Sequence, residues 1–236
     1  MTTFVLVHGA SSDHRYWSRV APWITAAGHV VVTPDLPIGD ETAGWDEYTD
    51  AVVAAVGERP DPVVLVGQSM GAFTVPLVAR RVPTTLLVLL APMIPAPRET
   101  AGAWWDATRH RAAVGALAVE LGLDPARLDP VHDPRTTFFH DLPTDLVAEL
   151  EAAGPPLQAA TIFSVPYPLP RWPDVPTRVV AARDDRLFPL PFVRRLASER
   201  LGVEAEVVPG GHLAALGRPR EVATTLLRLA GEVGHG

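Results

Sequence analysis

Short runs of apolar residues recur along the chain and alternate with stretches long enough to form helices. The runs lie at 4–7, 30–32, 63–66, 86–90, 178–182 and 203–208. Their continuous apolar character is typical of strands buried on both faces of a parallel sheet. The helix-length stretches cover about 15–27, 45–57, 70–81, 189–201 and 219–231. This alternation predicts an α/β fold with a doubly wound, mostly parallel six-stranded sheet.

The alternation is interrupted in the segment 92–175. Prolines bracket this segment at its start and at its end, namely Pro92, Pro95, Pro97 and then Pro166, Pro168, Pro170, Pro173, Pro176. Inside it, one helix face is predicted by the i, i+3, i+4, i+7 spacing of Val114, Leu117, Ala118 and Leu121, and a second helix is predicted over 143–153. We therefore expect residues 1–91 and 176–236 to form the core and residues 92–175 to form an inserted helical lid.

Composition and charge restrict the possible partners. The 236 residues are 47% hydrophobic and 20% charged, which is ordinary for a globular enzyme. A net charge of -7 without any basic run does not favour nucleic-acid binding. No apolar stretch reaches membrane-spanning length, and no basic leader precedes the first strand. We expect a cytoplasmic protein that binds a small-molecule substrate and neither a membrane nor a nucleic acid; the sequence gives no expectation of oligomeric state.

Two missing residue types exclude several chemistries. The chain has no cysteine, and all 20 of its Lys and Arg positions are arginine. Thiol nucleophiles, disulfides, cysteine-ligated metals and lysine Schiff bases are therefore excluded. No His-Glu-x-x-His or similar ligand spacing occurs. We accordingly expect neither a metal nor a cofactor.

A Gly-x-Ser-x-Gly pentapeptide directly follows the third predicted strand and directly precedes a predicted helix. It reads Gly67-Gln68-Ser69-Met70-Gly71. On a sharp strand-to-helix turn the serine takes a strained backbone conformation, and the two glycines allow neighbouring backbone to approach closely. This context predicts a nucleophile elbow, with Ser69 as the nucleophile.

A serine hydroxyl needs a base to activate it and a carboxylate to orient that base. Of the eight histidines, only His212 follows the last predicted strand, after a Pro-Gly-Gly turn. Asp184 and Asp185 both follow the fifth predicted strand, and position alone leaves both open as the carboxylate. The order Ser, Asp, His along the chain is the α/β-hydrolase order.

The loops that carry these residues are expected to converge. His8, Ser69, the aspartate pair and His212 each follow an apolar strand run. In a parallel sheet the carboxyl ends of such strands share one edge, where open α/β sheets bind their ligands.

On this elbow and this chain order, the sequence resembles the α/β-hydrolases over essentially its whole length. Within them it is similar to the compact lidded esterases of the methylesterase and hydroxynitrile lyase group. The family's G-x-x-D-x-x-x-P pattern corresponds here to residues 182–189 and implies that Asp185 is the acid. Ala182 stands where the family has glycine, so Asp184 stays a second candidate.

The resemblance also implies an oxyanion hole. His8-Gly9-Ala10 matches the His-Gly-x motif that follows the first central strand in the family. The family's donors are the backbone N–H groups that correspond here to Ala10 and Met70. Removal of one such donor costs about 3–4 kcal/mol of transition-state stabilisation in other enzymes. His8 itself is expected to brace the loop.

Aromatic residues of the predicted lid are candidates for the substrate pocket. Trp104, Trp105, Phe138 and Phe163 are predicted to bind substrate and favour an apolar one. Packing of these side chains against the core remains an alternative.

These features predict a serine hydrolase that cleaves a carboxylic ester of a small, largely apolar substrate through an acyl-enzyme. The same residues would also serve a thioesterase, a lactonase or an acyltransferase, and a non-catalytic ligand receptor on this fold is a further alternative. The related hydroxynitrile lyases use an active-site lysine, which this chain lacks, so we expect no lyase activity.

Overall fold

The computed structural model describes residues 1–233 and contains one parallel sheet of six strands. The sheet order is β2-β1-β3-β4-β5-β6, and every neighbouring pair is parallel. The strands are β1 Thr3–Val7, β2 Val30–Val32, β3 Val63–Gln68, β4 Thr84–Leu90, β5 Thr177–Ala182 and β6 Ala205–Val208. The predicted fold class is confirmed. The last three residues of the predicted core, 234–236, for which the sequence suggests a frayed end, lie outside the described residues.

Helices follow most strands. The α-helices are α1 Ala21–Ala26, α2 Trp45–Val56, α3 Gly71–Val78, α4 Ala101–Ala107, α5 His110–Leu121, α6 Pro134–Thr137, α7 Thr144–Ala153, α8 Leu190–Leu201, α9 Ala214–Gly217 and α10 Pro219–Val233. Short 3-10 helices cover His14–Trp17, Pro125–Leu128 and Thr161–Ser164.

One predicted helix is divided in the structure. The single helix expected over about 15–27 is a 3-10 turn followed by α1. Pro22 lies in the first turn of α1. Its missing N–H and its ring prevent an earlier helix from continuing through this point, whereas the first turn of a new helix tolerates both.

Alternate residues of the strands supply two separate cores, one on each face of the sheet. The first includes Val5, Leu65 and Leu89 and lies under α2, α3 and α8. The second includes Leu6 and Val66 and lies under α1 and α10. Burial on both faces explains why the strands read as continuous apolar runs.

The segment between β4 and β5 holds α4 to α7 and the 3-10 helices Pro125–Leu128 and Thr161–Ser164, joined by irregular stretches. Its two ends meet, because Tyr167 donates a backbone hydrogen bond to the Glu99 carbonyl at 2.9 Å. The Glu99 carboxylate also pairs with Arg200 of α8 at 2.6 Å, which ties this segment to the core. The division into a core and a lid stays a prediction.

Within residues 1–233, no helix combines the length and the apolar character needed to cross a membrane.

Candidate active site

Ser69 occupies the sharp turn between β3 and α3. Its backbone has φ 51°, in the left-handed region that a residue with a Cβ rarely adopts. The turn is held by neighbouring backbone, since the Ser69 N–H donates to the Leu90 carbonyl and the Met93 N–H donates to the Ser69 carbonyl, both at 3.0 Å.

Both glycines of the elbow are required by close approach. A Cβ on Gly67 would lie 2.7 Å from the Gly71 carbonyl oxygen, and a Cβ on Gly71 would lie 2.7 Å from the His8 carbonyl oxygen. Such distances are too short for any side chain unless the backbone moves. The structure therefore shows the close packing for which the pentapeptide needs glycine.

His212 and Asp185 form a buried pair. The Nδ1 atom of His212 lies 2.8 Å from Asp185 Oδ2, and the two residues are 4% and 2% exposed. The other oxygen, Oδ1, accepts backbone hydrogen bonds from Leu187 and Phe188, each at 2.8 Å. The carboxylate is thus held at both oxygens. When Nδ1 donates its proton to Asp185, the free lone pair of the imidazole is on Nε2, on the side of the ring away from Asp185.

Asp184, the second candidate for the carboxylate, has another partner. Its Oδ2 accepts from the Gly210 N–H at 3.2 Å, and its own N–H donates to the Gly210 carbonyl at 2.9 Å. Asp184 therefore joins the loop after β5 to the turn that carries His212, while Asp185 contacts the imidazole itself.

The structure does not join Ser69 to His212 by a hydrogen bond. The Nε2 atom of His212 lies 3.2 Å from Nε2 of the buried Gln68 side chain. Among residues 1–233, the Ser69 hydroxyl makes no side-chain hydrogen bond. With a proton on Nδ1 of His212, the Gln68 amide donates to Nε2. Sequence reasoning did not identify Gln68, because the middle positions of a Gly-x-Ser-x-Gly motif carry no required residue type.

His8 braces the loop that follows β1, as the sequence suggests. Its Nδ1 donates to the Gly9 carbonyl at 2.8 Å, and its Nε2 accepts from the Leu36 N–H at 3.2 Å. Burial lowers the pKa of His8, although the hydrogen bond to Gly9 opposes this effect. The side chain is therefore neutral at pH 7.

The same loop lies against the nucleophile. A Cβ on Gly9 would be 2.9 Å from Ser69 Cβ. Within residues 1–233, the backbone N–H groups of Ala10 and Met70 have no protein acceptor. They are thus two free donors, one in this loop and one next to Ser69.

A residue of the segment between β4 and β5 holds this loop from the outside. Gln158 Oε1 accepts from the Ser11 N–H at 3.2 Å, and Gln158 Nε2 donates to the Tyr48 hydroxyl at 3.1 Å. Ser11 itself has φ 50°. Gln158 was not found by sequence reasoning, because no local pattern distinguishes it from other polar residues of the segment.

Two aromatic rings flank the imidazole of His212. The Phe188 ring is perpendicular to it at a centroid distance of 5.0 Å, and the Phe138 ring is tilted at 5.7 Å. Phe188 belongs to the loop after β5, whereas Phe138 belongs to the segment between β4 and β5. Of the four aromatic residues predicted to bind substrate, Phe138 is thus the one placed against His212.

The other three predicted aromatic residues lie in different surroundings. Trp105 and Phe163 are half-buried and pack against the first core. Trp104 has no exposed surface, and its indole N–H donates to the Ile94 carbonyl at 2.9 Å. In this structure Trp104 therefore anchors α4 to the core and offers no surface to a ligand.

Among residues 1–233, no three histidine, aspartate or glutamate side chains come together in a way that could hold a metal ion.

Comparison with known proteins places this architecture in a family. The profile of the alpha/beta hydrolase family matches residues 4–225. A probable esterase of Oryza sativa subsp. indica, PIR7A, is 28% identical over 261 aligned positions, which cover 96% of each chain. Methyl jasmonate esterase 1 of Vitis vinifera is 23% identical over 94% of each chain. The crystal structure of polyneuridine aldehyde esterase superposes with a TM-score of 0.77 over 98% of this chain and 99% of that one, at 19% identity.

Proposed function

This chain belongs to the alpha/beta hydrolase family and is a carboxylic ester hydrolase, and from that premise we propose that it cleaves a small, largely apolar ester through an acyl-enzyme on Ser69. The observation that carries the proposal is the buried pair of His212 and Asp185, whose imidazole is contacted by Gln68, the residue directly before the strained Ser69. Nucleophile, base and orienting carboxylate come from three loops at one edge of the sheet.

In the first half-reaction, Ser69 Oγ attacks the ester carbonyl carbon while His212 Nε2 takes the hydroxyl proton. The negative charge that develops on the carbonyl oxygen is stabilised by the free N–H groups of Ala10 and Met70. Collapse of the tetrahedral intermediate breaks the bond to the alcohol, which leaves with the proton from His212. Asp185 stabilises the imidazolium while it exists.

In the second half-reaction, water attacks the acyl carbon and gives its proton to His212. The bond to Ser69 Oγ then breaks, the proton returns to Oγ, and the carboxylic acid is released. Each cycle therefore consumes one ester and one water and restores the enzyme.

Before attack, His212 has to exchange its partner. Gln68 donates to Nε2, the atom that must accept the proton from Ser69. Hydrogen bonds of catalytic residues are often loose in ligand-free enzymes and tighten when substrate binds. Movement of the Gln68 amide away from Nε2 would free that atom for Ser69.

The segment 92–175 supplies the outer wall of the proposed pocket. Phe138 packs on the base, and Gln158 holds the loop that carries the proposed oxyanion donor. These contacts support the role of a lid. Phe138, Trp105 and Phe163 are the aromatic side chains that we propose to contact an apolar substrate.

The first test is multiple-turnover hydrolysis of p-nitrophenyl acetate and butyrate by the wild type and by Ser69→Ala, His212→Ala and Asp185→Asn. We expect the variants to lose roughly three to six orders of magnitude in kcat, as in other serine hydrolases. Asp184→Asn is the matched control, because Asp184 contacts the same turn without touching the imidazole. It should retain most of the activity.

A different pattern would contradict the proposal. A wild type that releases one equivalent of nitrophenol and then stops would point to acyl transfer to another acceptor, or to a receptor that is only acylated. A loss in Asp184→Asn equal to that in Asp185→Asn would contradict the assignment of the carboxylate.

A further inference from the structure

An aspartate outside the proposed triad contacts the turn that carries His212. Asp141 lies between α6 and α7, in the segment between β4 and β5. Its Oδ2 accepts from the Gly211 N–H at 2.8 Å, so it holds the residue directly before His212. We propose that Asp141 is a positioning residue that fixes His212 for catalysis; this inference rests on the proposed role of His212 as the base.

The turn and the segment around Asp141 pack at atomic contact. A Cβ on Gly211 would lie 2.8 Å from both Asp141 Oδ1 and His140 Cε1, and a Cβ on Gly217 would lie 2.8 Å from Leu142 Cδ2. This contact gives a physical reason for the second glycine of the Pro-Gly-Gly turn. His140 and Asp141 fill the space that a side chain at 211 would need.

Other hydrogen bonds to the turn come from outside this segment. Asp184 accepts from the Gly210 N–H, and the Tyr16 hydroxyl donates to the His212 carbonyl at 3.4 Å. Asp141 supplies the hydrogen bond from the segment between β4 and β5 to this turn, beside the ring contact of Phe138 with His212, and its carboxylate makes a stronger hydrogen bond than a neutral acceptor would. The position of the base therefore depends directly on that segment.

A hydrogen bond at this point matters because proton transfer requires accurate placement. A displacement of about 1 Å at a reacting group can reduce a rate on the order of a hundredfold. Removal of the Asp141 carboxylate would leave the Gly211 N–H without its acceptor. The turn would then be free to shift, and His212 would shift with it.

The environment of the second oxygen of Asp141 allows a variant that keeps the hydrogen bond to Gly211 and removes the negative charge. Within residues 1–233, Asp141 Oδ1 is buried and has no hydrogen-bond partner. In Asp141→Asn the amide oxygen can still accept from Gly211, while the amide nitrogen replaces the oxygen that makes no bond. Asparagine should therefore keep the turn in place, whereas alanine should not.

The experiment compares Asp141→Ala and Asp141→Asn with the wild type, and with Asp145→Ala as the control. Asp145 is exposed and lies in the first turn of α7, four positions further along the same segment. We would measure kcat and KM for p-nitrophenyl butyrate and, by NMR, the hydrogen exchange of the Gly211 amide. Circular dichroism would confirm folding, and Asp141→Ser would replace Asp141→Ala if that variant does not fold.

We expect Asp141→Ala to lower kcat by about ten- to a hundredfold with KM changed less than about twofold, and to accelerate exchange of the Gly211 amide. Asp141→Asn should stay within about threefold of the wild type, and Asp145→Ala should match it. The inference is overturned if Asp141→Ala retains kcat, if only KM changes, or if asparagine is as damaging as alanine. A wild type without turnover contradicts the proposed function instead, and Gly211 exchange then decides alone whether Asp141 holds the turn.

Discussion

At the scale of single residues, the geometry of the site depends on glycines at positions where a side chain would not fit. Gly9 lies in contact with the nucleophile and with Gln68, so this position combines an ordinary backbone conformation with no room for a methyl group. Its need for glycine arises from close approach, whereas at Gly210 a φ of 102° adds a conformational need. The pattern of hydrophobic residues along the chain does not predict the need for glycine at either position.

We predict that Gly9→Ala removes most of the activity. The new Cβ would lie 2.6 Å from Gln68 Oε1 and 2.9 Å from Ser69 Cβ, so the loop or the nucleophile has to move. We expect kcat/KM to fall on the order of a hundredfold, measured with p-nitrophenyl butyrate.

Gly115→Ala is the matched control for this substitution. Gly115 lies within α5, and a new Cβ there would have no atom within 4 Å apart from its chain neighbours and the backbone of its own helix. Alanine there should leave kcat/KM unchanged and raise the free energy of unfolding by about 0.5–1 kcal/mol. Full activity in Gly9→Ala would show that the loop after β1 yields without cost and would contradict the proposed geometry.

At the scale of secondary-structure elements, an ion pair with little exposed surface helps to anchor the segment between β4 and β5 to the core. Arg200 of α8 pairs with Glu99 through both carboxylate oxygens, at 2.6 and 2.9 Å, and also donates to the Ile94 carbonyl. The two side chains are 15% and 9% exposed. Trp104, in α4 of the same segment, adds a fully buried ring to this anchor.

We predict that Arg200→Met strongly destabilises the protein. It would leave the largely buried Glu99 carboxylate without its charged partner, which costs about 3 kcal/mol in buried pairs. Urea unfolding would measure the change. Restoring neutrality with Arg200→Met/Glu99→Gln should recover part of the loss, and failure of the double variant to recover any stability would contradict a role for the unpaired charge.

An exposed ion pair on the same helix serves as the control for the pair of Arg200 and Glu99. Arg195 and Glu199 also lie on α8, at i and i+4, and are 39% and 56% exposed. Glu199→Gln should change the free energy of unfolding by less than about 1 kcal/mol, because exposed ion pairs contribute little.

At the scale of the whole molecule, burial of histidines links stability to pH. Burial lowers the pKa of His8 and His110, and burial together with the nearby Arg186 lowers the pKa of His140. In the unfolded chain the pKa of each of these histidines is about 6.5. Below that pH the unfolded state therefore binds more protons than the folded state.

We predict that the free energy of unfolding falls as the pH is lowered from about 7 to about 5. The contribution of these histidines is fully present above about 6.5 and is lost as the pH falls toward their lower folded pKa values. Melting temperatures measured across this range would test it, and a constant melting temperature would contradict it.

Two variants identify the source of this pH dependence. His110→Gln removes a titrating ring while keeping a side-chain donor toward the Leu187 carbonyl, which His110 Nε2 contacts at 2.6 Å. It should reduce the loss of stability at low pH. His132→Gln, at a side chain 79% exposed, should leave the loss unchanged.

Some features of this protein are determined by the sequence alone because they depend on near neighbours in the chain. Continuous apolar runs give buried parallel strands, and the elbow around Ser69 is encoded within five positions that include both required glycines. The strands that precede them predict that His212 and the pair Asp184 and Asp185 lie at the same edge of the sheet, whereas only the structure shows that Asp185 contacts the imidazole. Even Pro22, which divides the first helix, is a local signal that the periodicity alone did not use.

Other features were decided only by the tertiary structure. Gln68 contacts His212 across 144 positions, Asp141 contacts Gly211 across 70, and Gln158 contacts Ser11 across 147. These partners are ordinary polar residues without a local pattern, and each hydrogen bond depends on distances of about 3 Å that only the packed fold establishes. The sequence determines which strands end at the site, while packing determines which side chains hold the base and the oxyanion loop in place.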